Sequence, residues 1–199
     1  MSIIVGVNGY GRSGKDELAR VLVDNYGFER IAFADVLRCM AYAVDPLVSL
    51  SWQTDVPGVS ERATQRLSEV VDSFGWDYAK TTFPDVRRLL QRLGTEGGRN
   101  ALGENVWVDA AFDRAKSDKL VITDMRFPNE LRAVTERNGV TVRVNRAGNG
   151  PANDHPSETS LDNYKFDYYL DNDGTLGEFQ RKAHVFAQGL DAGRADAVQ

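Results

Sequence analysis

Gly9-Tyr10-Gly11-Arg12-Ser13-Gly14-Lys15-Asp16 is the stretch that decides how this chain folds. An apolar, β-branched run, Ser2-Ile3-Ile4-Val5-Gly6-Val7-Asn8, leads into it, and Leu18, Val21 and Leu22 follow at helical spacing. The octet therefore links a buried strand to a helix, the context in which a glycine-rich loop holds phosphate. Gly9 and Gly14 remove Cβ atoms where the backbone must curl, so the N–H groups of Gly11, Arg12, Ser13 and their neighbours can converge on phosphate oxygens. The helix N-terminus adds positive potential, and Lys15 places an ammonium between the β- and γ-phosphates. Asp16 stands where a hydroxyl normally meets magnesium. Its carboxylate can ligate the ion or one of its waters, because magnesium takes hard oxygen ligands; it can equally be a first-turn acid that suits the helix dipole.

Working outward, 199 residues suit one α/β domain with a full core. A net charge of −5 argues against a nucleic-acid polymer or an anionic membrane as partner and leaves small anions. The one cysteine, Cys39, excludes an internal disulfide, fits a reducing compartment and reads as a small buried hydrophobe on a helix. No basic leader or long apolar stretch precedes the first strand, so the expectation is a cytoplasmic protein without a membrane span.

Further strands are expected at Phe28–Ala34, Leu120–Thr123, Val140–Val144 and Phe166–Leu170, with helices between them. The result is a three-layer α/β fold with a five-stranded, mostly parallel sheet and helices on both faces. Residues 45–82 read as a helical insertion, with Ser60 as N-cap to Ala63, Leu67, Val70, Val71 and Phe74. Residues 146–160, rich in Gly, Asn, Pro and Asp, read as a loop or small lid, and residues 191–199 as a frayed tail. A single domain then occupies residues 1–190.

Ligands of such sheets bind at the carboxyl ends of the strands, where Asn8, Asp35, Asp124 with Arg126, Arg146, and Asp171 with Asn172 all fall. Asp124 reads as a metal-side carboxylate or a helix cap, and Arg126 as a guanidinium for phosphate. Asp35 can orient an acceptor or a metal-bound water, or cap a helix; Arg38, one turn on, can meet an acceptor phosphate. Between Arg88 and Arg99 the chain carries too many polar and glycine positions for a packing helix alone and can line an acceptor pocket. His155 has no partners at metal-ligand spacing and reads as a loop-ordering residue. Asp171-Asn172-Asp173-Gly174 is a turn or a loop that touches a nucleobase.

Six segments taken in order, Gly11–Asp16, Phe33–Arg38, Arg87–Glu96, Ile122–Glu130, His155–Glu158 and Asn172–Leu176, resemble the bacteriophage-type deoxynucleoside monophosphate kinases of the adenylate-kinase-like phosphate-loop class. In that family the loop commonly ends Lys-Asp, as here. The resemblance implies magnesium-dependent transfer of the ATP γ-phosphoryl group to a deoxynucleoside monophosphate, in the host cytoplasm if the protein is phage-encoded, with homodimerisation left open. It implies catalytic roles for Lys15, Arg126 and Asp35, and donor binding by Gly9, Gly11, Arg12, Ser13, Gly14, Lys15, Asp16 and Asn172. Acceptor binding falls to Asp35, Arg38, Arg88, Gln91, Thr95, Glu96, Arg99 and Arg126, and metal binding to Asp16 and Asp124. Phosphomevalonate kinases of the animal type and dephospho-coenzyme A kinases are the nearest rivals. A GTPase is disfavoured because Asp55-Val56-Pro57-Gly58 lacks a preceding apolar strand and no Asn-Lys-x-Asp signature occurs; a non-catalytic nucleotide-binding module is the remaining alternative.

Overall fold

Strands covered on both faces carry apolar side chains on both, and Ile4, Val5 and Val7 are all buried in the first one. The computed structural model describes residues 2–53, 60–151 and 156–191. Along the chain run β1 (Ile3–Asn8), α1 (Lys15–Tyr26), β2 (Glu29–Ile31), α2 (Phe33–Val44), β3 (Leu47–Gln53), β4 (Ser60–Arg66), α3 (Leu67–Thr82) and α4 (Pro84–Arg92). A π-helical stretch (Leu93–Arg99) leads into α5 (Asn100–Leu102). Then come α6 (Val106–Arg114), β5 (Lys119–Ile122), α7 (Pro128–Glu136), β6 (Val140–Asn145), α8 (Pro156–Thr159), β7 (Tyr168–Asp171) and α9 (Leu176–Asp191). Two compact units form, one from the chain up to Phe33 and again from Val108, the other from Ala34–Trp107.

The first unit holds a five-stranded parallel sheet in the order β2-β5-β1-β6-β7. On one face Val5, Val7, Val121, Val142, Val144 and Leu170 pack with Leu18 and Leu22 of α1 and Phe179 and Phe186 of α9. Tyr26 and His184 tie α1 to α9, the hydroxyl lying 3.1 Å from Nδ1, and Gln180 Nε2 donates to Glu17 Oε1 at 2.7 Å. The other face carries α7 against β1 and β6. There Gly6 has no room for a side chain, because a Cβ would lie 2.9 Å from Met125 Sδ. The order puts β1 beside β6, whose following connections leave in opposite directions, so the crevice at their carboxyl ends is the switch point where such sheets bind ligands.

Two expectations change here. The second strand is only Glu29–Ile31, because Asp124 Oδ1 accepts the N–H of Phe33 at 2.9 Å and starts α2 there. Asp35 is thus a first-turn helical residue rather than a strand-tip residue. Cys39 is exposed on α2, not buried.

In the second unit, residues 47–53 and 60–66 are strands rather than helix. β3 and β4 pair antiparallel from Leu47↔Arg66 to Gln53↔Ser60, so Ser60 is a strand residue and caps no helix. Val48 and Leu50 are buried while Leu47 and Ser49 face solvent, the period-2 alternation of a half-buried strand. Helical spacing begins only at Leu67. The turn into β3 is held by Asp45, whose Oδ1 accepts Ser68 N–H at 2.8 Å and whose carbonyl accepts Arg66 Nη1 at 3.0 Å. Ala41, Val48, Leu50, Leu67, Val70, Ala79, Phe83, Val86 and Leu90 form this unit's core.

The π-helical stretch has a local cause. Trp107 Nε1 donates to Gly94 C=O at 2.8 Å, and its ring lies so close to Gly98 that a Cβ there would stand 2.6 Å from the indole nitrogen. Among the described residues no helix is long and apolar enough to cross a membrane. The Gly98–Trp107 contact predicts that Gly98→Ala lowers unfolding stability by about 1–3 kcal/mol, as overpacking does. Urea unfolding followed by tryptophan fluorescence checks this; a wild-type midpoint would contradict the packing.

Candidate active site

Peptide planarity links each carbonyl to the next N–H, which points the opposite way. In the loop after β1, four successive carbonyls are captured by side chains. Lys15 Nζ donates to Tyr10 O at 2.8 Å and Asn149 Nδ2 to Gly11 O at 3.1 Å. Arg146 Nη1 donates to Arg12 O at 3.4 Å and Asn172 Nδ2 to Ser13 O at 2.8 Å. The N–H groups of Gly11, Arg12 and Gly14 are thereby turned the other way. Ser13 N–H closes a turn onto Tyr10 O at 3.2 Å, and Gly14 O accepts Leu18 N–H at 3.0 Å to start α1. No side chain caps α1, so its first N–H groups add to an anion-binding end. Gly9 and Gly14 have φ of 146° and 111°; a Cβ would collide with Val144 O at the first and with the Asn172 amide at the second. Ser13 Oγ is 1 % exposed as a residue, lies against Gly9 and has no hydrogen-bond partner among the described residues.

Lys15 shares its surroundings with Arg126 and Glu158. Burial holds its ammonium below the usual lysine value; Arg126 pushes the same way, while Asp16 and Glu158 push it up. Arg126 Nη1 lies 3.0 Å from Glu158 Oε1, and its backbone N–H is held by buried Glu130 at 2.6 Å. Asp16 is exposed in the first turn of α1. Asp124, at the end of the strand beside β1, gives one oxygen to Phe33 N–H. Among the described residues no group of three or more His, Cys, Asp or Glu forms a metal cluster. A groove of about 480 Å³ opens between β7 and α9, lined by Asp171, Asn172, Gly174, Phe179, Arg181 and Lys182 among others.

The sequence-predicted donor residues Gly9, Gly11, Arg12, Ser13, Gly14, Lys15, Asp16 and Asn172 all lie in the first unit, together with Asp124 and Arg126. Asn172 spends its side-chain amide on the loop itself. The remaining predicted acceptor residues lie in the second unit. There Arg38 makes long ion pairs, Nη1 to Asp35 Oδ1 at 3.8 Å and Nη2 to Asp77 Oδ1 at 3.6 Å. Arg88 pairs with Asp85, and Glu96 with Arg92 at 3.0 Å. Gln91 and Thr95 are exposed and Arg99 is half-buried in the π-helical stretch. His155 and the segment Asp55–Gly58 lie outside the described residues.

Arg146 falls at a strand end in the sequence but without an assigned role, and several further contributors carry no sequence signal. Asn149 and Arg146 reach the loop across more than 130 residues of chain. Arg143 lies over the Tyr10 ring, 5.2 Å from its centroid, and pairs with Asp162 at 2.8 Å. Burial and the Asp162 carboxylate together hold the Tyr10 hydroxyl above its ordinary pKa.

The profile of the family described as deoxynucleotide monophosphate kinase matches residues 51–183. It begins beyond the phosphate loop, so loop and match are independent observations. A protein of Acanthamoeba polyphaga mimivirus, named as a candidate deoxynucleotide monophosphate kinase, is 28 % identical over 192 residues, covering 89 % of this chain and 92 % of its own. The deoxynucleoside-5'-monophosphate kinase of Escherichia phage T5 is 24 % identical over 217 residues, covering 81 % and 86 %. The crystal structure of TT1252 from Thermus thermophilus covers 95 % of this chain and 98 % of its own at a TM-score of 0.38 and 15 % identity.

The captured carbonyls yield a direct expectation. Asn172→Ala releases Ser13 O and loosens the loop, so the ATP concentration for half-maximal binding should rise about 2- to 10-fold, the worth of one hydrogen bond. Titration calorimetry measures it, and unchanged affinity would mean that Asn172 does not shape the loop.

Proposed function

We infer the course of the reaction from a single premise, that the chain belongs to the deoxynucleotide monophosphate kinase family. It is an ATP-dependent phosphotransferase acting on nucleotides. The reading we propose is transfer of the ATP γ-phosphoryl group to a deoxynucleoside monophosphate, giving the diphosphate and ADP. The observation that carries it is the loop after β1, with its carbonyls captured on one side and Lys15 and Arg126 clustered beside it.

An oxygen of the acceptor phosphate attacks Pγ, a new P–O bond forms, and the bond from Pγ to the β–γ bridging oxygen breaks, leaving its electron pair on ADP. The acceptor phosphate is largely ionised near neutral pH, so no strong general base is needed and catalysis rests on alignment and charge. Loop N–H groups hold the β- and γ-phosphates. Lys15 leaves Tyr10 O for the bridging region, and Arg126 takes charge on the transferred group. Asp35, Arg38 and the polar positions Arg88, Gln91, Thr95, Glu96 and Arg99 of the second unit bind the acceptor. The groove beside Asn172 and Gly174 suits the donor base.

Hard carboxylate oxygens suit magnesium, which Asp16 and Asp124 would hold. When bound, the ion would supply positive charge that offsets the charge of the phosphates. Residues 146–160, of which 152–155 lie outside the described residues, serve to exclude water that would otherwise accept the phosphoryl group. The reaction belongs in the cytoplasm, where both nucleotides are found, the host cytoplasm if the protein is phage-encoded.

Coupled measurement of ADP release tests the acceptor. Release from ATP is expected with at least one deoxynucleoside monophosphate, more weakly with the matching ribonucleotide, and not with phosphomevalonate or dephospho-coenzyme A. If only one of the last two worked, the phosphate loop would stand and the acceptor assignment would fall. Lys15→Ala should slow turnover at least ~100-fold without unfolding the protein, as loss of a preorganised charge does; wild-type turnover in the folded variant would remove Lys15 from the reaction. Asp16→Asn should raise the magnesium needed for half-maximal rate while leaving the nucleotide-free thermal melt in place. An unchanged requirement would make Asp16 a helix-start acid only.

A further inference from the structure

Lys15 and Arg126 are two cations in one small region, and with no anion near them they repel. Asp16 and Glu158 both act on Lys15 as anions, and of these two Glu158 is the one that also bonds Arg126. Its Oε1 stands 3.0 Å from Arg126 Nη1, and its side chain is only 18 % exposed. The same carboxylate acts on the Lys15 ammonium.

The backbone that carries Glu158 is fixed to the phosphate loop by an independent route. Ser160 N–H closes onto Pro156 O at 2.9 Å and Asp162 N–H onto Thr159 O at 3.0 Å, so α8 runs straight into the next turn. Leu161 there is buried. Arg143 donates to Leu161 O at 3.3 Å and to Asp162 Oδ1 at 2.8 Å. Its guanidinium also lies over the rings of Tyr10 and Phe166, 5.2 and 5.7 Å from their centroids. Tyr10 is itself a residue of the loop. Glu158 is therefore held by the element that it serves.

Arg126 has a fixed backbone and a long side chain. Glu130 Oε2 takes the N–H groups of Arg126 and Phe127 at 2.6 and 3.0 Å, which settles where the chain runs but not where the guanidinium points. Glu158 bonds Nη1, which among the described residues leaves Nε and Nη2 of the planar fork for a second anion. We propose that Glu158 is a positioning residue for phosphoryl transfer: by holding one edge of the Arg126 guanidinium it aims the other at the phosphate space beside Lys15 before substrate arrives. This rests on the kinase reading above.

Steady-state kinetics of wild type, Glu158→Ala, Glu158→Gln, Arg126→Ala and the double variant Arg126→Ala/Glu158→Ala, with ATP and a productive deoxynucleoside monophosphate, test it. Glu158→Ala should lower kcat about tenfold, less than the ~100-fold of losing a preorganised donor itself, with a smaller change in either KM. Glu158→Gln, whose amide oxygen still accepts from Arg126, should retain more of the rate. The double variant should be no slower than Arg126→Ala alone, because Glu158 acts through Arg126. Losses that multiply in the double variant, or a Glu158→Ala enzyme as fast as wild type or faster, would overturn the proposal. If Glu158→Ala does not fold, the cycle is closed with Glu158→Leu, which fills the space and cannot accept from Arg126. A wild-type enzyme that transfers to no deoxynucleoside monophosphate would instead sink the acceptor assignment; the same order of variants is then read in acceptor-independent ATP hydrolysis, with the same outcomes for and against.

Discussion

Everything at the site depends on which way four peptide groups face. A chain that turns back on itself between a strand and a helix can present either carbonyls or N–H groups to the space it encloses, and only the second arrangement attracts a polyphosphate. Here Lys15, Asn149, Arg146 and Asn172 each hold one carbonyl of Tyr10 to Ser13. The donors come from three separate parts of the chain: the start of α1, the loop after β6 and the loop after β7. The loop is therefore shaped by the fold around it rather than by its glycines alone.

The sheet order makes that possible. With β1 central and β6 and β7 stepping away on one side, the loops after all three strands end up at one edge, where Ala147 N–H also bonds Asp173 Oδ1 at 2.6 Å. The valines of β1, β5 and β6 hold α1 and α9 on one face, and α9 in turn brings Phe179 to within 3.2 Å of where a Gly14 Cβ would stand. Core packing and loop shape are thus one problem. A side chain at Gly14 would push against both the Asn172 amide and the α9 ring.

Local signals were legible in the sequence and distant ones were not. The phosphate loop and the five strands of the main sheet announce themselves within a few residues of chain. The β3–β4 hairpin did not, because β4, Ser60–Arg66, is almost wholly polar and has no apolar alternation to oppose the helical spacing that starts at Leu67. The start of α2 was misplaced because its cap, Asp124, lies 91 residues further along. Glu158 falls in one of the family-like segments but without a role, and Arg143 and Asp162 carry no signal, since each acts through a partner that only the fold brings near. Cys39 departs from the burial usual for a lone cysteine because its place on α2 leaves it outside the core.

The account turns on the loop's N–H groups and Lys15 receiving the triphosphate. A crystal structure with magnesium and a non-hydrolysable ATP analogue measures this most directly. The account predicts that Gly11, Asn149, Arg12, Arg146, Ser13 and Asn172 keep their carbonyl bonds, that the loop N–H groups meet β- and γ-phosphate oxygens, and that Lys15 Nζ leaves Tyr10 O for them. A triphosphate bound elsewhere, with Lys15 still 2.8 Å from Tyr10 O, would contradict it.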